Sequence, residues 1–556
     1  MRTRVAFGCR WRTMPFAAPS ASGSVAEDAL SWTSWSGSTW ERVLVGRMST
    51  SNGVVPLDEV REDIDRAARR LRTATLRAGT VGAALKGGLN LFRLLARARR
   101  KPKRKGVLRV AAVDAARDTV AFASFLATFA GIYVAVDEGL AMGYGRTRSR
   151  EWRAAVAGAI AAPALLLADP RGCGHTGRVR DMPLTQNTKT QNEGHHGLAT
   201  YLALRAAVLL TRSALKKREK GEYIDDYPMV HTALAPFASK HADVGLMSAA
   251  ATVILSCFIM KPDALIGPYA NFLNRHGGKT VPHYRALGDF VLSKNGKDAR
   301  ETLSKAAVTL KQPLLLTVLG SMDDKTLMAS RPLFWRLIIH PGENSLHHFF
   351  KFLLSSWQRS VSVNAPLYLV STMVVHRTRL FDPKLGPEIF KRSMLGTCRS
   401  SLFLSTYCAL AWLGPDCLQT LTGKANWLTV FSGVPTAGLA TFIEKPSRRQ
   451  ELSVYCASRA VEAAAVCCLS WGLVPQVVQK KLRVDVLTFL FASSAIMRCY
   501  SNERDVFKSK YLNVLDFVFG NQGHGKQRVK HVGSVYQIAT QAPAMATPPT
   551  SPEKRK

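Results

Sequence analysis

RDTVAFASF at 117–125 finds a counterpart in RSSLFLSTY at 399–407, 282 residues further along the chain. Taken as one element that occurs twice, this pair decides the fold, because three further matches follow in the same order. Trp152 and Gly158 align with Trp427 and Gly433 at an offset of 275, and YLALRA at 201–206 aligns with YCASRA at 455–460 at an offset of 254. Ile254, Cys257, Tyr269, Asn271 and Leu273 then align with Ile496, Cys499, Tyr511, Asn513 and Leu515 at 242. The offset shrinks because the first copy carries longer loops. Four matches in register predict a duplicated set of four apolar segments, an arrangement in which transporters and channels set two pseudo-equivalent bundles face to face.

In the first copy the apolar segments are expected at 119–136, 154–168, 197–215 and 244–260, and in the second at 400–415, 425–443, 455–474 and 486–497. One further hydrophobic segment, 360–375, connects the copies. A spanning helix needs about 20 apolar residues, so several of these are short. Segments 119–136 and 425–443 read as the strongest and 486–497 as the weakest unless flanking residues extend it. Small residues crowd them (AVAGAIAAPA at 155–164, FSGVPTAGLA at 431–440), a composition that lets membrane helices approach closely. Gly158 and Gly433 are the helix-packing positions this suggests. Around the second copy, fourteen basic residues fall on one side of the segments and four on the other, the bias of a membrane protein. The expected fold is an all-α polytopic membrane protein: two tandem repeats of about four helices with a connecting hydrophobic segment. The repeats would be inverted if 360–375 crosses the bilayer and parallel if it does not.

The chain divides by composition into a disordered or targeting segment (1–56) and an amphipathic helix with a polybasic segment (57–108). The first membrane repeat (109–277) and a soluble helical linker (278–339) follow. After them come a segment around the connecting helix (340–392), the second repeat (393–520) and a disordered basic tail (521–556). Residues 1–26 hold four arginines and no acid, which suits a transit peptide as well as an ordinary disordered start. LDEVREDIDRAARRLR at 57–72 has the apolar spacing of an amphipathic helix. RARRKPKRK at 97–105 places seven positive residues in nine just ahead of an apolar segment, where it would lie against anionic headgroups.

A formal net charge of +37 calls for an anionic partner. An anionic bilayer surface fits that need better than nucleic acid, although a soluble basic helical scaffold that binds nucleic acid remains the alternative reading. The ten cysteines form no CxxC pair, so neither a disulfide framework nor a zinc ribbon is indicated. The sets Cys173, His175, His195, His196 and His340, His347, His348 lack any recognised metal-ligand spacing, and no metal or cofactor is expected. Nucleophile-elbow, phosphate-loop, zinc-protease and dinucleotide motifs are missing, so no enzyme is expected.

The polar feature kept by both copies is a Tyr-x-x-x-Arg pair: Tyr201 with Arg205, and Tyr455 with Arg459. Residues four apart share one helix face. An arginine at membrane depth is costly and reads as a site for an anion or headgroup. Alternatively, each arginine snorkels to the interface beside a tyrosine anchor.

NAPLYLVS at 364–371, KLGPEIFKRS at 384–393 and IEKPSRRQELSVYCASRAVE at 443–462 resemble the N-terminal domain of the transmembrane protein 135 family, over residues 340–475. The chain departs from that pattern before NAPLYL, where His340–His348 stands in place of a cysteine-rich start. The resemblance implies a multi-pass protein of peroxisomal or mitochondrial membranes that acts in lipid or metabolite homeostasis, as a transporter or channel. It also implies a distant relation to the mitochondrial inner-membrane translocase channels and a peroxisomal membrane protein. That relation leaves open a role as an accessory factor of protein import. Expected partners are the lipid bilayer with its anionic headgroups, and a second copy of the chain or other organelle membrane proteins.

Overall fold

A computed structural model describes residues 57–99, 105–168, 193–221, 228–265, 267–376, 380, 382–474 and 483–520. The transit-like start at 1–26, most of the 97–105 run, Cys173, His175 and the tail 521–556 lie outside the described residues, as do the side chains of His195 and His196. The described residues are helical, with no strand among them. This is an all-α polytopic membrane protein. The chain divides into two units, 1–66 and 67–556. Of the first, only the opening turns of one helix are described, with an Arg66–Asp63 ion pair of 2.7 Å.

That helix, α1, runs Leu57–Arg99, well beyond the amphipathic stretch expected at 57–72. Its later part is small-residue rich where it meets α2 (Lys105–Tyr144). A Cβ on Gly82 would come within 2.9 Å of Ala123 Cα, so glycine there permits the close approach. Next come α3 (Arg153–Ala161), continued as a 3-10 helix over Ala162–Ala168, and α4 (Glu193–Glu219). The short α5 (Pro228–Ala233) and α6 (Ala235–Ala238) lead into α7 (Ala242–Met260). A 3-10 turn at Pro262–Ala264 precedes α8 (Gly267–Gly277).

Five short helices follow: α9 (Val281–Leu292), α10 (Gly296–Leu310), α11 (Pro313–Gly320), α12 (Asp324–Ala329) and α13 (Arg331–Ile339). They span the stretch expected to be a soluble linker, yet they build part of the main core. Leu287, Phe290, Leu303, Phe334 and Trp335 are fully buried in it. Arg331 ties them to the rest, donating to Phe290 O (2.5 Å), Ala425 O (2.7 Å) and Ser293 O (3.2 Å).

The chain then enters α14 (Ser345–Val375) and α15 (Gly386–Thr422), which pack along each other. After them come α16 (Trp427–Gly433) with a 3-10 continuation over Val434–Ile443, α17 (Pro446–Ser470) and α18 (Val484–Asn502). A 3-10 turn at Arg504–Val506 and α19 (Ser509–Phe519) complete the described chain.

The segments aligned in the sequence fall on α2, α3, α4, α7 and α8 in the first half and on α15, α16, α17, α18 and α19 in the second. Each fourth helix has 19 residues, each following 3-10 turn three, and each last helix eleven. Both second helices become 3-10 helices beside a proline, Pro163 and Pro435, whose missing N–H breaks the α-helical ladder.

Packing does not follow the tandem order expected from the sequence. α18 packs on α3 and α4, whereas α7 packs on α17 and on the α16–3-10 element. Each bundle therefore takes its fourth helix from the other half of the chain. The contacts fall at small residues. Ser493 Oγ of α18 donates to Gly158 O at 2.8 Å, and a Cβ on Gly438 would lie 2.2 Å from Ser248 Oγ of α7. Gly158 is close-packed between the two halves of the chain, since a Cβ there would meet Ser493 O at 2.8 Å. Gly433 is close-packed too, but against Pro415 of its own first helix, at 2.5 Å.

Among the described residues five helices are long and apolar enough to cross a membrane: Arg109–Tyr144, Gly197–Glu219, Ala242–Met260, Pro446–Ser470 and Val484–Asn502. Arg153–Ala168 and Trp427–Ile443 are shorter apolar helices. The expected ranking is corrected at one point: segment 425–443, rated strong, is divided between α16 and its 3-10 continuation. Segment 486–497, weakest unless its flanks extend it, is extended by them into α18. Segments 400–415 and 360–375 lie inside α15 and α14, which are not among the five.

Candidate functional site

The two Tyr-x-x-x-Arg pairs lie on α4 and α17, the helices through which the bundles touch. Four-residue spacing stacks each arginine over the tyrosine one turn earlier. The Arg205 guanidinium sits 5.0 Å from the Tyr201 ring centroid, and its Nε and Nη2 donate to the Tyr201 hydroxyl at 2.9 and 2.5 Å. A second ring, Tyr511 of the exchanged α19, flanks it at 5.1 Å. In the other bundle Arg459 lies 5.5 Å from the Tyr455 ring, and Tyr269 of the exchanged α8 meets Tyr455 edge-on at 6.5 Å. Tyr511 and Tyr269 are the residues aligned at offset 242. Each arginine thus belongs to a cluster of two tyrosines, one from its own helix and one from the other half of the chain. Such cation–π contacts contribute about 0.5–1 kcal/mol each, more when desolvated.

The two clusters differ in charge. Arg459 is paired with Glu462 at 2.8 Å, both largely buried. Arg205 makes no ion pair among the described residues, and Val208 stands where Glu462 would. Around the seam, Arg212 of α4 donates to Gln450 of α17 (2.5 Å) and to Val506 O (2.8 Å). Burial and the neighbouring Arg205 charge bear on the same face of α4.

A second constellation was not singled out in the sequence. Three helices converge where α14, α15 and the start of α17 meet. Ser400 Oγ donates to Glu444 at 2.5 Å and bonds the Tyr368 hydroxyl at 2.8 Å. Arg448 donates to Ser400 at 2.7 Å and to the Tyr368 hydroxyl, and lies 3.7 Å from Glu444. Thr372 adds a bond to Ser393 at 2.9 Å. Gly396 leaves room for this junction, since a Cβ there would come within 2.5 Å of the Tyr368 ring. Glu444 is 3% exposed, and a carboxylate so buried is retained only when paired and hydrogen-bonded. NAPLYLVS supplies Tyr368, KLGPEIFKRS supplies Ser393, and IEKPSRRQ supplies Glu444 and Arg448. The three quoted stretches therefore meet at one place.

Residues 345–467, which contain this junction, match the family described as the N-terminal cysteine-rich region of Transmembrane protein 135. This segment is similar to that region of the transmembrane protein 135 family. No solved structure matches the chain. The transmembrane protein 135 segment holds five of the ten cysteines, all beyond NAPLYLVS. The described cysteines are free; Cys467 approaches Cys257 of α7 to 3.7 Å between sulfurs. No group of three metal-ligating side chains occurs among the described residues. His340 and His348 stack at 4.8 Å, and Glu343 engages both, through its carbonyl on His340 and its carboxylate on His348. Lys351 and His348 hold the Glu343 carboxyl down at about 2.

Proposed function

We propose that this multi-pass membrane protein acts in the lipid or metabolite homeostasis of a peroxisomal or mitochondrial membrane, moving an anionic solute or lipid headgroup along the seam between its two bundles. The observation that supports this most is the exchange of fourth helices between two bundles of matching helix order. A duplicated scaffold of this kind has two related packings at its seam, and rocking one bundle against the other would open either end. The arginines placed there, Arg205 and Arg459, are the cations such a path would use, because charge on membrane helices is kept where it meets a substrate or a partner. Arg205, flanked by two tyrosines and by no carboxylate, is the stronger ligand of the two.

The test is reconstitution of the full chain in liposomes. Movement of a small organic anion and of a fluorescent anionic lipid is followed against protein-free vesicles. Substituting Gln for Arg205 should slow movement about tenfold, the loss of one charge-assisted contact. Rates equal to protein-free vesicles for both probes would sink the transport reading. A tagged chain resistant to alkaline carbonate extraction but found outside peroxisomes and mitochondria would sink the location.

A further inference from the structure

In the second bundle, a group of buried hydrogen-bond donors has nothing to donate to. His276, near the C-terminal end of α8, is 1% exposed, and neither ring nitrogen has a hydrogen-bond partner. Arg359 of α14 uses Nη1 on Ser355 Oγ (2.7 Å), while Nε and Nη2 are buried and unpartnered. Tyr407 of α15 also has a hydroxyl without a partner, and Ser356, fully buried one turn before Arg359, meets the Cys408 thiol. Arg359 forms no ion pair among the described residues. Its guanidinium rests on the Phe352 ring at 5.5 Å and against Gly278, whose φ of +73° turns the chain there. A Cβ at Gly278 would come within 2.9 Å of Nη2.

The chemistry of these atoms is one-sided. Nε and Nη2 form the side-on edge of the guanidinium, which presents two parallel N–H bonds to a planar oxyanion. A neutral imidazole adds one N–H, and the hydroxyls of Ser356 and Tyr407 can add two O–H donors. Burial, with Arg275 and Arg359 nearby, holds His276 down at about 4, so two cations press on a ring with no anion to balance them. A buried charge without a counter-charge is costly. Water could accept some of these bonds but would not neutralise the charge.

Next to this group lies a cavity of about 40 Å³ between α7, α8 and α15, lined by Phe258, Leu273, Gly277, Tyr407, Cys408 and Trp412 among others. Leu273 and Gly277 flank His276 in the sequence. Tyr407 carries an unpartnered hydroxyl and lines this cavity, and its neighbour Cys408 lies within electrostatic reach of Arg359. The space exceeds what one water needs.

We propose that His276, Ser356, Arg359 and Tyr407 form a binding site for a single oxyanion, a carboxylate or phosphate group, beside this cavity. The site is separate from the seam and does not depend on transport along it. Arg359 grips the anion side-on, His276 and the hydroxyls complete its donors, and the cavity takes the small apolar part attached to it. The oxyanion belongs either to a soluble molecule or to a lipid headgroup.

The experiment uses the full chain in phosphatidylcholine nanodiscs, with thermal unfolding as the readout. Inorganic phosphate and octanoate are titrated as soluble probes, octanol serves as the neutral control, and phosphatidic acid replaces part of the phosphatidylcholine as the lipid probe. Stabilisation by phosphate or octanoate identifies a soluble ligand, and stabilisation only by phosphatidic acid identifies a headgroup. In either case Arg359→Gln should weaken the response about 10- to 100-fold, the loss of a bidentate charge-assisted contact. Arg392→Gln, at an exposed surface pair with Glu388, should leave it unchanged. If Arg359→Gln does not fold, His276→Gln and Ser356→Ala keep the guanidinium and should each weaken the response about 3- to 10-fold. The proposal is overturned if none of the anions stabilises the wild type, if octanol does so equally, or if the site variants respond as the wild type does.

Discussion

In the first bundle the buried carboxylates of Asp137 and Glu138 meet three arginines, whereas in the second bundle half-buried Arg359 and buried His276 meet no acid among the described residues. Arg153 donates to Asp137 at 2.7 Å, Arg70 bridges Asp137 (3.1 Å) and Glu138, and Arg146 closes on Glu138 at 2.9 Å. Matching helix orders thus hold a closed charge network in one place and an open set of donors in another. A closed network fixes how helices meet, because each member is costly to strand. An open set keeps its binding capacity for something outside the chain. The contrast also separates the two kinds of polar residue in the transmembrane protein 135 segment. Glu444 and Arg448 satisfy each other, and Arg359 does not find a match.

The largest expected effect breaks the closed network. Asp137→Asn should destabilise the protein by about 3–5 kcal/mol, since it leaves Arg153 without its carboxylate partner and Arg70 with Glu138 alone. Arg359→Met strands no partner and should cost less than about 1 kcal/mol, or even stabilise the ligand-free protein. Unfolding of both variants in mixed micelles checks this. Equal losses would mean that Arg359 has a structural counter-charge after all, and the contrast between the bundles would fail.

Next in size is a comparison of the two contacts that join the halves of the chain. At Gly438 an added methyl would meet the Ser248 backbone, 2.5 Å from Cα and 2.6 Å from N, so α7 itself must shift. At Gly158 it would meet the Ser493 backbone less closely, 2.8 Å from O and 3.1 Å from C, with Met497 Cβ at 3.2 Å. Gly438→Ala should therefore cost about 3 kcal/mol and Gly158→Ala nearer 1 kcal/mol, by overpacking. The reverse order in thermal unfolding would show that the second bundle yields more easily than its contacts suggest.

Much of this scaffold could be read from the sequence, because apolar runs and their flanks report helices directly. Tyr201, Arg205, Tyr455 and Arg459 were found because a charged residue inside an apolar run stands out. Their third members, Tyr269 and Tyr511, were aligned but not connected to the arginines, since nothing local indicates that α8 and α19 change bundles. Exchange of α7 and α18 is a property of packing, which leaves each helix's own pattern unaltered. Tyr368, Ser400, Glu444 and Arg448 sat in or beside quoted motifs but were not chosen, because a motif does not say which of its residues face one another. His276 and Arg359 gave no signal: one histidine and one arginine 83 positions apart become a site only when α8 crosses α14. The strength of 425–443 was overrated because hydrophobicity does not reveal where a proline turns an α-helix into a 3-10 helix.

A smaller effect follows from His276. Its folded-state value of about 4 lies below the ordinary imidazole value near 6.5, so between those limits the unfolded chain holds the extra proton. Stability is then complete above about pH 6.5 and falls as the pH drops toward 4. At pH 5 the loss from this one residue is about 2 kcal/mol, and His276→Gln should remove that part of the acid sensitivity. An oxyanion beside Arg359 would favour the imidazolium and flatten the same slope. An acid slope identical in wild type and His276→Gln would show that the ring titrates normally.

The smallest stability change, and the sharpest use of the comparison, makes the two arginine clusters alike. Arg459 has Glu462 three residues on, and Arg205 has Val208, half-buried, in that place. Val208→Glu should give Arg205 the same partner at the same spacing, and as a partly exposed pair it should change stability by no more than about 1 kcal/mol. Its effect on anion movement in liposomes should be much larger, because the new carboxylate competes for the guanidinium that the solute would use and repels the solute itself. Unchanged unfolding with movement reduced about tenfold is the expected outcome. Unchanged movement would mean that Arg205 serves the seam through its stacking on Tyr201 and Tyr511, and that its charge is not what distinguishes one bundle from the other.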